Sequence, residues 1–204
     1  MDKNSFRKVC LNQKIVNRYY YSKTISKSLL KIVKNYKNIL LFMPLENEVN
    51  IKDLIHRLKF KGKNIFIPFM QDLSFKMVKY HLPLTKKKFN ILEPKRANKT
   101  LQKIDLAIVP VVGVDSSFKR VGFGKGMYDR FFETLPYKPK IVFLQLKPCF
   151  SKQKLTDKYD IRADYYVSFN IRRKNNDDSL VFSSGDIIHS RGIYISKKDR
   201  FFKI

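Results

Sequence analysis

The chain has 204 residues, of which 44% are hydrophobic, and this combination indicates one folded domain with a buried core. Lys and Arg (43) outnumber Asp and Glu (17), and the net charge of +26 would attract polyanions such as nucleic acid, nucleotides or polyglutamylated substrates. No apolar run approaches the roughly 20 residues of a membrane helix. The N-terminus lacks the apolar core of a signal peptide, so we expect a cytoplasmic protein.

The N-terminal segment, from about residue 3 to residue 36, contains no Gly or Pro and spaces its apolar residues at helical intervals. Ser22 or Thr24 is a candidate cap for a second helix within it. The sequence therefore predicts a long N-terminal helical region.

A strand–helix–strand unit is predicted next. The strands are residues 39–43 and 64–67, the second closed by Pro68, and the helix runs from its candidate cap Asn50 to about Lys61. Such a unit joins two parallel strands by a right-handed crossover.

The remaining elements continue this alternation. Residues 74–80 predict a strand, 82–98 mostly loop, 104–112 a buried central strand, 127–135 a helix, 140–146 a strand, and 163–168 the last strand of the sheet. The pattern predicts an α/β fold with three layers, in which helices flank a mostly parallel sheet. We assign residues 1–170 to this domain and residues 171–204 to a C-terminal extension without an assigned function.

Metal and nucleophile motifs are missing from the sequence. Cys10 and Cys149, the only cysteines, have the spacing of neither a zinc site nor a disulfide framework, so we expect two reduced, partly buried thiols. The three histidines are scattered and support neither a His-based metal site nor a Ser-His-Asp triad.

The glycine segment, residues 120–130, is the most informative stretch and reads Arg-Val-Gly-Phe-Gly-Lys-Gly-Met-Tyr-Asp-Arg. Its three alternate glycines leave backbone amides unshielded, and the helix predicted after them adds the positive end of its dipole. Its two Arg residues and one Lys residue add positive charge, so the segment predicts a cradle for phosphates. The spacing fits neither a Walker loop nor the dinucleotide fingerprint.

Residues 109–115 (Val-Pro-Val-Val-Gly-Val-Asp) and the glycine segment together resemble the signature of the 5-formyltetrahydrofolate cyclo-ligase family. That family has a strand ending in Val-Pro, a following Asp, and an Arg-Leu-Gly-aromatic-Gly-Lys-Gly-Tyr-Tyr-Asp-Arg loop. Here Val121 replaces the Leu and Met127 replaces the first Tyr. Other family marks occur in the same order: Lys3 and Arg7 of a Lys-x-x-x-Arg motif, Met43, Glu48, Pro68, Glu93-Pro94, Asp164, and Asp160 preceded by Tyr159 in place of His.

The resemblance implies an enzyme that closes 5-formyltetrahydrofolate to 5,10-methenyltetrahydrofolate, through a phosphorylated formyl (imidate) intermediate, and releases ADP and phosphate. ATP and Mg²⁺ are the implied cofactors. The implied residues are Lys125 and Arg120 for catalysis; Lys3, Arg7, Gly122, Phe123, Gly124, Lys125, Gly126, Met127, Tyr128 and Asp129 for ATP; Met43 and Glu48 for the folate; and Asp129 and Asp160 for the metal. We expect a monomer without membrane or specific nucleic-acid partners, and its folate could carry a polyglutamate chain.

Three alternatives stay open. A basic nucleic-acid-binding module would use the net charge, but the sequence contains no recognised reading motif, and codon bias also produces scattered lysines. A kinase or ligase could keep the glycine segment and act on another small anionic substrate. Met127 and Tyr159, which depart from the family pattern, would suit a homologue that has lost activity.

Overall fold

The computed structural model describes residues 1–87, 90–95 and 102–169, and the backbone of residues 187–189. In chain order the elements are α1 (Lys3–Leu11), α2 (Arg18–Val33), β1 (Asn38–Leu40), α3 (Lys52–Phe60), β2 (Asn64–Gln71), β3 (Ser74–Lys79), β4 (Leu84–Lys86), β5 (Leu92–Pro94), β6 (Leu106–Pro110), β7 (Gly113–Val114), β8 (Arg120–Val121), α4 (Met127–Glu133), β9 (Lys140–Gln145), β10 (Tyr165–Ser168) and β11 (Ile187–His189). No helix among these residues is both long and apolar enough to span a membrane.

A seven-stranded sheet with the order β11-β10-β9-β6-β1-β2-β3 forms the centre of the fold. The five strands from β10 to β2 pair in parallel, and β3 and β11 pair antiparallel at the two edges. This confirms the predicted α/β fold with a mostly parallel sheet. The prediction that residues 163–168 form the last strand of the sheet is wrong. Strand β11, from the C-terminal extension, pairs with the free edge of β10.

Helices cover both faces of the sheet. Ile39 and Leu41 pack in one buried cluster with residues of α2 and α3, whereas Leu40 packs in a second cluster with Phe131 of α4. Successive strand residues point to opposite faces, so a continuous apolar run serves both layers. The structure therefore has the three predicted layers.

The predicted caps of the second helix are wrong. Asn17 caps α2, because its side chain accepts a hydrogen bond from the backbone amide of Tyr20 at 3.0 Å. Ser22 and Thr24 lie inside α2. The Ser22 hydroxyl instead accepts a hydrogen bond from the backbone amide of Asn50, at 2.9 Å, in the loop before α3.

Strand β2 continues through Pro68, where the sequence predicted its end. The carbonyl of Phe66 accepts a hydrogen bond from Leu41 and that of Ile65 from Tyr80, so even-numbered residues of β2 turn their backbone groups toward β1. The pairing of β1 with β2 reaches only as far as Phe66. Pro68 therefore lies where no neighbouring strand requires an amide donor, and its missing N–H leaves the ladder intact.

The segment predicted as mostly loop after residue 82 contains a hairpin, formed by β4 and β5. Glu93 lies in β5 and is buried, with its side chain accepting a hydrogen bond from the backbone amide of Met70 at 3.1 Å. Met70, like Pro68, turns its backbone groups toward the side of β1, but β1 ends before it. The Glu93 side chain therefore accepts the hydrogen bond that a neighbouring strand would otherwise accept. Tertiary pairing with β2 thus orders a segment that has little local signal.

The two cysteines form a disulfide, which corrects the expectation of two reduced thiols. Helix α1 packs on the core through Phe6 and Cys10, which are buried with Cys149 in one cluster. This packing brings the Cα atoms of Cys10 and Cys149 to 5.7 Å although they are 139 residues apart in sequence. Sequence spacing cannot reveal such a pair, because the contact depends on the docking of α1.

Candidate functional site

A cavity of about 260 Å³ opens beyond the carboxyl ends of β6, β1 and β2. The chain reverses its direction of travel across the sheet between β1 and β6, and open α/β sheets bind ligands at such switch points. Its wall contains Phe42, Met43, Leu45, Glu48, Pro68, Met70, Ile91, Pro110, Arg120, Phe123, Lys125, Gly126, Met127 and Tyr128. The structure therefore brings Met43 and Glu48 into one cavity with most of the glycine segment.

Glu48 is the acidic group of this cavity. Its Oε2 accepts a hydrogen bond from the backbone amide of Leu45 at 2.9 Å, which folds the side chain over its own turn. Burial raises the pKa of the Glu48 carboxyl to about 7, although that hydrogen bond and the charges of Arg120 and Arg18 act in the opposite direction. Near neutral pH the carboxyl is thus present both as an acid and as a carboxylate, so it can donate or accept a hydrogen bond.

Arg120 lies behind the glycine segment and is 6% exposed. Its Nε donates a hydrogen bond to the carbonyl of Pro110 at 3.1 Å, and its Nη1 lies 3.6 Å from Oδ2 of Asp129. The guanidinium carbon lies 5.0 Å from the centre of the Tyr128 ring. These contacts fix a positive charge beneath the loop and in the cavity wall.

Gly122 is required by the position of Arg120. A Cβ atom added at Gly122 would lie 2.3 to 2.6 Å from three atoms of the Arg120 guanidinium. Any larger residue would therefore displace the buried cation. Gly124 and Gly126 are required for a different reason, because they have φ angles of 93° and 59°, in the region that side chains disfavour.

Helix α1 brings one further cation, Arg7, to the same loop. The Nε of Arg7 donates a hydrogen bond to the carbonyl of Gly122 at 2.6 Å, and its guanidinium lies beside Gly124. Lys3, one turn earlier, forms an ion pair of 2.5 Å with Asp160 and a longer one, 3.4 Å, with Asp157. Of the predicted Lys-x-x-x-Arg pair, Arg7 therefore contacts the glycine segment, whereas the contacts of Lys3 among the described residues are with the loop that carries Asp160.

Lys125 presents the most accessible positive charge of the cavity. It is exposed, and its ammonium makes no hydrogen bond or ion pair with any residue that the structure describes. The backbone around it is held by Arg130, which donates to the carbonyls of Lys125 and Leu73. A free ammonium on a braced loop is well suited to bind a phosphate group.

Tyr128 and Met127 form the wall of the cavity near Glu48. Burial first, and then the nearby Glu48 charge, raise the pKa of the Tyr128 hydroxyl, so it keeps its proton and can donate a hydrogen bond. Phe123 is 42% exposed at the mouth of the cavity. The carbonyl of Met127 accepts a hydrogen bond from the Ser74 hydroxyl at 3.3 Å, which ties the start of α4 to β3.

The two predicted metal ligands do not fit a metal site built by the protein. Asp129 accepts a hydrogen bond from the backbone amide of Ile161 at 3.2 Å and faces Arg120, while Asp160 is paired with Lys3. Within residues 1–87, 90–95 and 102–169, no three His, Cys, Asp or Glu residues converge to hold an ion. Both carboxylates already have cationic and amide partners, so they lack the free oxygen set that Mg²⁺ prefers.

Asp115, the aspartate of the resemblance motif, organises the loops around the site from a buried position. Its Oδ1 accepts hydrogen bonds from Ser117 and from the Lys119 amide, and its Oδ2 accepts from Leu155 and Thr156. Burial alone would raise the pKa of this carboxyl, but the hydrogen bonds outweigh it and lower the pKa to about 2. Asp115 therefore ties the chain before Arg120 to the chain before Asp160.

Sequence reasoning missed most of the apolar wall of the cavity. The missed residues are Phe42, Leu45, Pro68, Met70, Ile91 and Pro110. They lie at three strand ends and in one hairpin, and each is an apolar residue of a type that is common in the hydrophobic core of any protein. Only the strand order shows that they surround a cavity. Pro68 carried a weak signal, since it was already matched to a strand-ending proline.

Comparison with known proteins gives the same result from sequence and from fold. Residues 8–145 match the model of the 5-formyltetrahydrofolate cyclo-ligase family. The 5-formyltetrahydrofolate cyclo-ligase of Haemophilus influenzae is 26% identical over 63% of this chain and 74% of its own length. The enzyme of the same name from Mycoplasma pneumoniae is 26% identical over 82% of this chain and 99% of its own.

Solved structures extend the likeness to most of the chain. The 5,10-methenyltetrahydrofolate synthetase of Aquifex aeolicus superposes with a TM-score of 0.67 at 26% identity, covering 89% of this chain and 97% of that one. The synthetase of Mycoplasma pneumoniae superposes with a TM-score of 0.59 and covers 80% of this chain and 96% of that one; at 23% identity it supports the fold alone. The protein is an enzyme of the ligase class, and the chain belongs to the 5-formyltetrahydrofolate cyclo-ligase family.

Proposed function

We propose that the protein uses ATP to close 5-formyltetrahydrofolate to 5,10-methenyltetrahydrofolate, through a phosphorylated formyl intermediate. Family membership supports the cyclo-ligase activity. One observation carries the finer proposal: a single cavity is lined both by Met43 and Glu48 and by Lys125 and Gly126. A folate bound by the first pair and a phosphoryl group bound by the second would meet in the same space.

The chemical problem is the poor electrophilicity of a formamide. In the proposed reaction the formyl oxygen attacks the γ-phosphorus of ATP, and the bond to the bridging oxygen breaks to release ADP. N10 of the folate then attacks the formyl carbon and loses its proton, the carbon–oxygen bond breaks, and phosphate leaves. No protein nucleophile is required, so the protein has to align the two substrates and offset the charge on the transferred group.

The apolar side of the cavity suits a flat, partly aromatic ring system. Phe42, Met43 and Met70 provide this surface, and Glu48 provides a hydrogen-bonding carboxyl beside it. Tyr128 adds a hydroxyl donor on the same side. We propose that Glu48 binds the polar edge of the pterin and so fixes the orientation of the formyl group.

The proposed phosphate site combines one exposed charge, that of Lys125, with charges that are held by hydrogen bonds. Lys125 has no partner among the described residues and would bind the phosphoryl chain directly, together with the unshielded amides of the glycine segment. Arg120 contributes a buried positive charge from behind, and Arg7 contributes one from α1. Because these charges are held before the substrate arrives, they need not reorganise during phosphoryl transfer.

Mg²⁺ is assigned to the phosphates of ATP rather than to a protein cage, because Asp129 and Asp160 are engaged with partners of opposite charge or with amides. No step of the proposed reaction depends on a protein-held ion. The other expectations stay predictions: a monomer, a cytoplasmic location, no specific nucleic-acid partner, and acceptance of polyglutamylated folate.

The proposal is tested by following the methenyl product by absorbance after mixing the protein with ATP, Mg²⁺ and 5-formyltetrahydrofolate. Lys125→Ala is expected to lower kcat/KM for ATP by about 100-fold, since a charged hydrogen-bonding group that contacts phosphate is lost. Lys61→Ala is the matched control, because Lys61 is also an exposed lysine but lies between α3 and the amino end of β2, whereas the cavity lies at the carboxyl ends of the strands.

Three outcomes would contradict parts of the proposal. Product formation that needs no ATP would remove the phosphorylated intermediate. Equal ATP kinetics for Lys125→Ala and Lys61→Ala would remove Lys125 from the phosphate site. If Glu48→Gln leaves folate binding intact while ATP binding persists, the site belongs to a kinase or ligase for another small anion.

A further inference from the structure

Arg18, the first residue of α2, reaches across to the turn that carries Glu48. Its Nε donates a hydrogen bond to the carbonyl of Glu48 at 2.8 Å, and its Nη2 donates one to the carbonyl of Leu45 at 2.6 Å. Both bonds come from one planar guanidinium, which a lysine could not reproduce. No motif of the sequence marks Arg18, and it does not line the cavity.

The two carbonyls that Arg18 holds are the two ends of a single turn. Within that turn the backbone amide of Glu48 donates to the carbonyl of Leu45 at 3.1 Å, and the backbone amide of Leu45 donates to Oε2 of Glu48 at 2.9 Å. The direction of the Glu48 carboxyl therefore depends on the shape of the turn. A guanidinium that bridges both ends restricts that shape.

The same helix holds the loop at a second point. Ser22, one helical turn after Arg18, is buried and accepts a hydrogen bond from the backbone amide of Asn50. The loop between β1 and α3 is thus anchored to α2 both before and after Val49, which is itself buried in the core. Because Ser22 attaches the loop to α2 independently, loss of the Arg18 bonds should change the turn at Glu48 without detaching the loop.

We propose that Arg18 is a positioning residue that sets the Glu48 carboxyl for binding the folate. The inference rests on the proposed function, in which Glu48 binds the pterin. It extends that function to a residue outside the cavity and gives α2 a role in substrate recognition beyond its packing on the sheet.

The charges that face Glu48 supply an independent readout. Arg120 and Arg18 both lower the pKa of the Glu48 carboxyl, while burial raises it, and the hydroxyl of Tyr128 lies close to the same group. Loss of the Arg18 charge should move the ionisation of Glu48 to higher pH. A residue that only supported the fold would not produce this shift.

The experiment is a double-mutant cycle on the binding of 5-formyltetrahydrofolate to the full chain without ATP. Arg18→Met keeps the aliphatic part of the side chain and removes the guanidinium, whose two hydrogen bonds we call the fork. This change is expected to weaken binding about tenfold. Arg18→Lys, which keeps the charge, is expected to weaken binding less. In a Glu48→Ala background, Arg18→Met should change binding less than about twofold. Lys27→Met, at an exposed lysine further along α2, is the control for charge and should have no effect.

The pH dependence of the same binding provides the second measurement. The inflection that disappears in Glu48→Ala should lie at higher pH in Arg18→Met than in the wild type or in Lys27→Met. Arg18→Lys retains the charge and should retain the wild-type inflection.

Each failure has a separate meaning. Additive effects of Arg18→Met and Glu48→Ala, or an unmoved inflection in Arg18→Met, would overturn the role of Arg18 while leaving the folate site in place. Unchanged binding in Glu48→Ala alone would overturn the folate assignment of Glu48, and the role of Arg18 with it. If Arg18→Met does not fold, Arg18→Lys decides through the same cycle, because loss of the fork should still couple to Glu48.

Discussion

Replacing Glu48 by Gln is expected to stabilise the unliganded protein at alkaline pH while weakening folate binding. The native carboxyl has a pKa of about 7, against an ordinary value of 4.5, because it is buried. The native state therefore binds its proton more tightly than the unfolded chain does. As the pH rises from 4.5 to 7, the free energy of unfolding falls, and above pH 7 the full penalty of ionising Glu48 is present.

The size of the effect follows from the shift. At about 1.4 kcal/mol per pKa unit, the shift corresponds to an upper limit of about 3 kcal/mol. Glu48 is only partly shielded from solvent, so we expect about 1 to 2 kcal/mol. Gln keeps an oxygen that can accept the hydrogen bond from the Leu45 amide, and it has no charge to bury.

The assay is urea unfolding of the wild type and of Glu48→Gln at about pH 5 and about pH 8.5, without folate. The variant should gain stability at the higher pH only. Glu46→Gln is the control, since Glu46 is an exposed glutamate in the same loop. A gain of equal size at both pH values, or no gain at all, would refute the assignment of a carboxyl with a raised pKa to this cavity.

Two further predictions concern the scaffold of the site. Asp115→Asn should lower the free energy of unfolding by about 3 to 5 kcal/mol at neutral pH, since both carboxylate oxygens accept backbone hydrogen bonds. The single oxygen of Asn could serve only one of these two sets of donors, and its NH₂ group would face the other set. The native pKa of Asp115 is lowered, so the stability that its charge contributes is lost as the pH falls from about 4 to about 2. Denaturation at these pH values measures this loss, and Asp72→Asn, at an exposed aspartate, is the control. Gly122→Ala should lower stability by about 1 to 3 kcal/mol and reduce turnover, because its Cβ would displace Arg120; thermal unfolding and the methenyl assay measure both effects, and wild-type values would show that Arg120 can move aside freely.

Much of the fold was accessible from the sequence because its signals are local. The apolar run of residues 104–112 predicted a buried central strand, which forms at Leu106–Pro110, and the glycine segment predicted a loop followed by a helix. The predictions failed where tertiary contacts override local preference. Pro68 does not end β2 because β1 has already ended beside it, and Glu93 lies in a hairpin that β2 orders.

The candidate site divides in the same way. Phosphate binding was visible in the residue types of the glycine segment, and the resemblance to the family added the Lys-x-x-x-Arg pair. The contacts of the site were not visible: Asp129 faces Arg120 and Asp160 is paired with Lys3, whereas the resemblance implied that both aspartates hold the metal. Such pairings join residues that are distant in sequence, so no local pattern reports them.

The sequence by itself determined the alternation of strands and helices and the set of charged and glycine residues that points to phosphate binding, because these depend on residue type and short-range spacing. The expectation of a folate substrate came from the resemblance of these residues to the family signature. Only the tertiary structure decided that Glu48 and Lys125 share one cavity, that Arg18 holds the turn of Glu48, and that Cys10 meets Cys149. These relations depend on strand order and helix docking. They are set by the burial of apolar surface over the whole domain, which no single segment encodes.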